Sequence, residues 1–227
     1  MATYDLEEQE QLDEIKVWWK QYGNLVVSLL TAAAIGVIAW QAWSWYQRNQ
    51  TAQASMVYNV LQKSALEKDS QRLKAASGEL LEKFGGTTYA PLGALIAAKS
   101  MFDSGDTKTA KVQLAWVVEH GKDELRDLAR LRLSALLLDE KAYDEALKQL
   151  DGSVSGGFAI RFAESRGDVL NAQGKKVEAR SAYQLALAKL EESDKTGKGK
   201  NSLQDKQANA PYREMLQQKL DSLGESK

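Results

Sequence analysis

The chain has 227 residues and a formal net charge of −1, and 27% of its residues are charged. This balance excludes binding to nucleic acid through bulk positive charge, and the absence of cysteine excludes disulfides and thiolate chemistry. Only 2 prolines occur, helix-forming residues are abundant and alternating strand patterns are missing. We therefore predict an all-α fold.

Residues 1–22 are predicted to form an acidic N-terminal tail and an interfacial helix. A transmembrane helix is predicted over residues 23–46. No charged residue occurs between Lys20 and Arg48, and a helix needs about 20 apolar residues to cross a bilayer. Aromatic side chains, which favour the membrane–water interface, flank this run on both sides. They are Trp18, Trp19, Tyr22, Trp40, Trp43 and Trp45.

Two other interpretations of this apolar segment carry less support. A cleaved signal peptide should begin with basic residues, whereas the first 14 residues contain no lysine or arginine. A buried core helix would not require aromatic flanks. The basic residues that set orientation are nearly balanced, with Lys16 and Lys20 before the segment and Arg48 and Lys63 after it. They favour a cytoplasmic N-terminus only slightly.

Residues 47–190 show a repeat, and the helical pattern runs into it from the membrane segment without a breaker. The alanines Ala76, Ala110, Ala146 and Ala179 are spaced by 34, 36 and 33 residues. A large residue follows each alanine four positions later. The first copy is the weakest, since Glu67 occupies a position that should be apolar. This periodicity resembles the tetratricopeptide repeat and predicts an α-solenoid; an irregular α-bundle is the alternative.

The C-terminal part is predicted to contain a polar loop and a final helix. Residues 191–209 are rich in lysine, glycine and glutamine, which indicates a solvated loop over this range. Pro211 is suited to the first turn of a helix over residues 210–227. The leucine stripe of that helix would cap the open end of the solenoid.

The sequence offers no convincing catalytic, cofactor or metal site. The single histidine, His120, precedes a glycine at a predicted helix end, where a capping or surface role is expected. We therefore predict that the chain is not an enzyme and needs no cofactor. The first helices of the repeats should instead form a partner-binding face, although its apolar members could simply pack in the core. This face comprises Lys99, Phe102, Leu131, Ala135, Leu138, Arg161, Glu164, Asp168 and Asn171.

The order of these parts resembles the YfgM family of ancillary SecYEG translocon subunits. The resemblance covers nearly the whole chain and is carried by stretches that include residues 15–24, residues 88–95, residues 131–134 and the Gly167–Leu170 segment with Ala179 and Tyr183. It implies a single-pass protein of the bacterial inner membrane, with a cytoplasmic N-terminus and a periplasmic repeat domain. It also implies association with SecYEG, with periplasmic chaperones and with a membrane-anchored chaperone-isomerase.

The resulting hypothesis is a membrane-tethered interaction protein that assists translocation at the SecYEG channel and links emerging chains to periplasmic chaperones. Its expected partners are proteins and membrane lipid, and not nucleic acid. Two alternatives remain open. One is a bitopic repeat scaffold for another envelope-assembly or cell-division complex, and the other is a regulator that acts through the acidic N-tail.

Overall fold

The computed structural model describes residues 4–196 and 202–224, which form helices and contain no strand. The chain divides into two compact units, Met1–Gln53 and Ala54–Lys227. Ala54 is the first fully buried apolar residue of the core, so the division lies seven residues beyond the boundary predicted at residues 46 and 47. The helices are α1 (Tyr4–Leu66), α2 (Ser70–Phe84), α3 (Tyr89–Asp103), α4 (Thr107–His120), α5 (Asp123–Asp139), α6 (Tyr143–Gln149), α7 (Ala159–Ala172), α8 (Lys176–Thr196) and α9 (Ser202–Ser222), with a 3₁₀ turn at Gly156–Phe158.

The N-terminal unit consists of the larger part of α1. This helix is long and apolar enough to cross a membrane, with a mean hydropathy of 2.0 in its most apolar stretch. Two of its polar side chains bond within the helix, because Ser28 Oγ donates to the Leu25 carbonyl and Thr31 Oγ1 donates to the Val27 carbonyl, both at 2.8 Å. Such internal bonding is what a hydrocarbon environment requires.

The second unit, Ala54–Lys227, is called the repeat unit below. It contains four helix–turn–helix pairs whose turns have the same backbone hydrogen bonds. In each turn one residue adopts the left-handed conformation, at Lys68, Gly105, Lys141 and Gly174. The following N–H then bonds to a carbonyl five residues earlier, which is the Schellman motif that ends a helix. These bonds are Asp69 to Ser64 (2.9 Å), Asp106 to Met101 (2.8 Å), Ala142 to Leu137 (2.8 Å) and Lys175 to Leu170 (2.9 Å).

The turns correct the register of the first repeat. Lys68 precedes Gly105 by 37 residues, whereas the alanine alignment assumed 34. The structural counterpart of Ala110 is therefore Leu73, whose N–H bonds to the Asp69 carbonyl at 2.9 Å. The position assigned to Glu67 belongs to Ser64, which is fully buried and donates to the Val60 carbonyl.

The remaining copies follow the predicted register. Ala110, Ala146 and Ala179 are fully buried, so the two helices of each pair approach closely at these small side chains. The large residues one turn later are buried as well, namely Leu114, Leu150 and Tyr183. The fold is thus an all-α, tetratricopeptide-like arrangement with one long apolar N-terminal helix, as predicted.

The C-terminal region is more helical than the sequence suggested. Helix α8 extends to Thr196 and α9 begins at Ser202, so helix replaces most of the predicted loop at residues 191–209; residues 197–201 lie outside the described structure. Lysine, glutamine and glutamate favour a solvated helix as readily as a loop. Pro211 lies inside α9 and does not open it. The leucine stripe of α9 is buried against α7 and α8, through Leu216, Leu220 and Leu223.

Candidate interaction site

A groove of about 870 Å³ lies on the first helices of three successive pairs. We name it the α1–α3–α5 groove after the helices that line it, all within the repeat unit. Its apolar lining consists of Tyr58, Ala65 and Leu66 from α1, Leu92, Leu95 and Ile96 from α3, and Leu125 and Leu128 from α5. A concave, largely apolar surface with a few polar groups is typical of a binding site.

Charged groups surround this apolar lining. Lys68, Lys99, Asp103 and Arg132 all line the groove. The Lys99 ammonium pairs with the Asp103 carboxylate at 2.6 Å, whereas Arg132 donates only to the Leu95 carbonyl, at 3.3 Å, among the described residues. The groove therefore presents basic groups beside exposed apolar surface.

The predicted partner-binding residues on α3 and α5 fall in different places. Lys99 lines the groove, and Phe102 is 46% exposed on the same helix. Helix α5 contributes Arg132 and two leucines to the groove, while the predicted Leu131 and Leu138 pack in the core with Phe162. Ala135 is exposed outside the groove lining. The face of α5 that lines the groove therefore carries Leu125, Leu128 and Arg132, at intervals of three and four residues.

Three of the four predicted residues on α7 contact the last helix. Glu164 is 8% exposed and accepts hydrogen bonds from the Tyr212 hydroxyl (2.6 Å) and the Lys219 ammonium (2.8 Å). Asp168 accepts from Lys219 and from the Tyr183 hydroxyl, each at 2.8 Å. We call Glu164, Asp168, Tyr183, Tyr212 and Lys219 the α9 polar cluster. The other two predicted residues on α7, Arg161 and Asn171, are exposed. The Arg161 guanidinium lies 5.3 Å from the centre of the Tyr212 ring.

The α9 polar cluster shifts the ionisation of its members. Burial favours the neutral amine of Lys219, but the hydrogen bonds to Asp168 and Glu164 outweigh it and raise the pKa of Lys219. Burial, and then hydrogen bonding to a carboxylate, raises the pKa of Tyr183 and of Tyr212. The cluster therefore holds a charged lysine and two neutral phenols at physiological pH.

The predicted membrane-interface aromatics are all surface residues of the N-terminal unit. Trp18, Trp19, Tyr22, Trp40, Trp43 and Trp45 are between 43% and 70% exposed. Trp18 and Trp40 are 22 residues apart in one helix, which corresponds to about 33 Å along its axis. This separation is close to the thickness of the hydrocarbon core.

Sequence reasoning missed a buried ion pair in α5. Asp127 is fully buried and Arg130 is 8% exposed, with Nη1 of Arg130 3.1 Å from Oδ1 of Asp127. Arg130 also donates to the carbonyl of Gln149 (2.8 Å), the last residue of α6, and to the carbonyls of Ser153 (3.1 Å) and Asp151 in the loop that follows. The only signal in the sequence was two charged residues three positions apart among leucines.

A second group of bonds completes this feature, which we call the Arg130 clamp. Oδ2 of Asp127 accepts from the Ser155 N–H at 2.7 Å, and the Arg130 guanidinium lies 4.7 Å from the centre of the Phe162 ring. Burial alone would raise the pKa of Asp127, but the hydrogen bonds from Ser155 and Arg130 lower it. The clamp fixes the loop between the third and fourth helix pairs.

The described residues contain no cluster of potential metal ligands. His120 is exposed, its Nδ1 lies 3.0 Å from the Trp116 carbonyl oxygen, and its ring stacks on Trp116 at 4.5 Å. This is the surface position expected from the sequence.

Comparison with known sequences agrees with the architecture. A family profile described as a tetratricopeptide repeat-like domain matches residues 16–225. The fold and the match together define a tetratricopeptide repeat-like protein with one candidate membrane-spanning helix.

Similar full-length proteins narrow the family further. A protein of Neisseria gonorrhoeae named ancillary SecYEG translocon subunit is 34% identical over 98% of this chain and 100% of its own length. Proteins of the same name from Haemophilus influenzae and Escherichia coli are 30% and 28% identical over 81% and 82% of this chain, and each is covered over 90% of its length. The chain belongs to the family of ancillary SecYEG translocon subunits, which is the YfgM family.

Proposed function

We propose that this protein is a membrane-tethered interaction module that assists translocation at the SecYEG channel and links emerging chains to periplasmic chaperones. The observation that carries the proposal is the α1–α3–α5 groove, an apolar surface within the chain segment that follows the membrane helix. The names of the relatives supply the translocon as partner. The site offers a binding surface and no reactive constellation, so we propose interaction and not catalysis.

The membrane helix and the groove belong to one chain, and few residues separate them in the sequence. Tyr46 and Tyr58 are separated by 12 residues, which can span at most about 43 Å even when fully extended. Tethering of this kind raises the effective concentration of the groove beside a membrane-embedded partner, so weak contacts can suffice. A membrane-anchored chaperone-isomerase in the same bilayer would share this advantage.

We further propose a cytoplasmic N-terminus and a periplasmic repeat unit in the bacterial inner membrane. Basic residues close to the membrane helix are nearly balanced, so the orientation rests mainly on the family. Fusions of alkaline phosphatase or green fluorescent protein at Lys227 measure it directly. Phosphatase activity without fluorescence is the expected result; fluorescence without phosphatase activity would contradict the periplasmic placement.

Site-specific photocrosslinking in native membranes tests the partners. A photoreactive amino acid at Ile96 lies in the groove, and the matched control at Val112 lies on an exposed apolar position of α4 outside it. We expect Ile96 to crosslink to translocon subunits, emerging chains or periplasmic chaperones more strongly than Val112 does. Recovery of cell-division or wall-synthesis proteins alone would favour the scaffold alternative instead.

A further inference from the structure

The α1–α3–α5 groove has the opposite charge to the chain as a whole. The complete sequence has a formal net charge of −1, whereas the groove is lined by three basic side chains, Lys68, Lys99 and Arg132, and one acidic side chain, Asp103. Asp103 is already paired with Lys99. Lys68 and Arg132 have no carboxylate partner among the described residues, so the groove has an excess of positive charge.

Arg132 is the most directed of these groups. Its guanidinium has five N–H donors, and the described contacts use one of them, on the Leu95 carbonyl at 3.3 Å. It lines the groove beside Leu95 and Leu128, whose apolar surface reduces access of water. A carboxylate placed here would form a charge-assisted pair with arginine, whose planar guanidinium can donate two parallel hydrogen bonds to it.

The polar lining favours a peptide over an acyl chain. Gln62, Ser100 and Ser104 also line the groove. The Gln62 amide and the Ser100 hydroxyl can bond to a peptide backbone, and the Ser104 hydroxyl, which donates to the Met101 carbonyl at 2.9 Å, can accept from one. A lipid tail has no group that could use them. Neighbouring helices pack about 8–10 Å apart, so a groove across three helices accommodates about six residues of extended chain.

We propose that the α1–α3–α5 groove binds an apolar peptide segment that carries a carboxylate, with Arg132 as the partner of that carboxylate. Leu92, Ile96 and Leu128 contact the apolar side chains, and Lys68 adds longer-range attraction. The inference rests on the proposed function, because it names the ligand class of the interaction module. It selects apolar segments with an acidic residue from among the chains that pass near the membrane.

Fluorescence anisotropy with the full-length chain in phosphatidylcholine nanodiscs tests this inference. The probe is a fluorescein-labelled octapeptide of leucine, phenylalanine and alanine that ends in two aspartates and a C-terminal amide. The matched probe carries asparagines in place of the aspartates. We expect the acidic probe to bind at least tenfold more tightly than the neutral one, as one charge-assisted hydrogen bond predicts.

The variants Arg132→Gln and Arg126→Gln separate the groove from general charge effects. Both arginines lie on α5, but Arg126 is exposed and does not line the groove. Arg132→Gln should remove the preference for the acidic probe and leave binding of the neutral probe unchanged, while Arg126→Gln should preserve the preference. If thermal unfolding shows that Arg132→Gln is not folded, Lys68→Gln takes its place, with an expected loss of two- to threefold.

Several outcomes would overturn the inference. They are equal affinity for the two probes, equal losses in both arginine variants, no binding of either probe, or displacement of the acidic probe by phosphatidylglycerol, which would identify a lipid site. If one of these outcomes occurs but Ile96 still crosslinks to the translocon in the Arg132→Gln variant, the proposed function stands and only the proposed ligand class is rejected. If Ile96 forms no such crosslinks in the chain without the Arg132→Gln substitution, the proposed function itself is rejected.

Discussion

A Cβ atom added to Gly167 would lie 2.4 Å from Cε1 of Tyr183. Gly167 is buried in α7 and Tyr183 is buried in α8, so the two helices of the fourth pair approach through this glycine. The ring cannot move away easily, because its hydroxyl donates to Asp168 at 2.8 Å. The close approach and the α9 polar cluster therefore depend on each other.

The substitution Gly167→Ala should destabilise the repeat unit. Alanine favours a helix over glycine by about 1 kcal/mol, but overpacking against a fixed ring costs about 1–3 kcal/mol and should outweigh that gain. We expect a lower denaturant midpoint and earlier loss of near-ultraviolet circular dichroism from tyrosine.

Gly78→Ala is the matched control. Gly78 lies in α2, and a Cβ added there would meet no atom within 4 Å. This variant should therefore be stabilised by about 0.5–1 kcal/mol. Equal destabilisation of the two variants would show that the contact with Tyr183 is not the cause.

Removal of the Lys219 ammonium should weaken the docking of α9. In Lys219→Met the aliphatic bulk remains, but Glu164 and Asp168 lose a shared cation that lies 2.8 Å from each carboxylate. Leaving two partly buried carboxylates without that partner should cost about 1–3 kcal/mol. Hydrogen exchange should show increased opening of α9, with little change in α2 and α3.

The substitution Gln218→Met provides a control on the neighbouring, exposed residue of α9. It adds the same side chain without removing an ion pair, so protection of α9 should remain within about 0.5 kcal/mol of the unmodified protein. If Lys219→Met leaves the exchange of α9 unchanged as well, the ion pairs do not hold this helix.

Stability should fall at alkaline pH because of the α9 polar cluster. The pKa values of Tyr183 and Tyr212 are raised in the folded chain, so the folded state retains protons that the unfolded state loses above about pH 10. Lys219 acts in the same direction, because its raised pKa stabilises the fold below about pH 10.4 and this contribution is lost as pH rises through the folded pKa.

Ultraviolet difference absorbance across a pH titration measures this effect. The tyrosinate absorbance that is missing from the Tyr183→Phe and Tyr212→Phe variants belongs to these two residues. It should appear at a higher pH than the absorbance of the other tyrosines, and at the same pH at which the amides of α9 lose protection from exchange. Titration of these two residues near pH 10 in the folded chain would contradict the expected shift.

The sequence predicted those parts of the fold that depend on local pattern. Backbone turns and small buried side chains recur at a regular spacing, so Ala110, Ala146 and Ala179 could be placed correctly from the sequence. The first copy was misaligned because its residue at the alanine position is Leu73, whereas an alanine that matches the other copies, Ala76, lies three residues later. The left-handed conformation of Lys68 and the hydrogen bond from the Asp69 N–H to the Ser64 carbonyl identify the true turn.

The candidate site was harder to predict because its contacts are distant in sequence. Lys219 bonds to Asp168 across 51 residues and to Glu164 across 55 residues, and no local pattern encodes such a pairing. The same limit applies to α5, where Arg132 lines the groove and Leu131 packs against the core cluster of Phe162. Assignment of residues to a face therefore required the packed structure.

The Arg130 clamp gives a prediction that tests the arginine and not only its charge. Arg130 donates through Nε, Nη1 and Nη2 to the side chain of Asp127 and to three carbonyls at the end of α6 and in the loop after it. A lysine keeps the positive charge but has a single nitrogen with three donors, which cannot reach all of these acceptors. Arg130→Lys should therefore leave buried carbonyls unpaired and cost about 2–4 kcal/mol.

The substitution Arg126→Lys, at an exposed position one turn earlier on α5, should change stability by less than about 0.5 kcal/mol. Denaturant unfolding and proteolysis at residues 150–155 distinguish the two variants, since the loop should be cleaved faster only in Arg130→Lys. If that variant retains full stability and a protected loop, charge pairing with Asp127 suffices and the contacts with the carbonyls are incidental. If it fails as expected, the geometry of the guanidinium is what joins the third helix pair to the fourth.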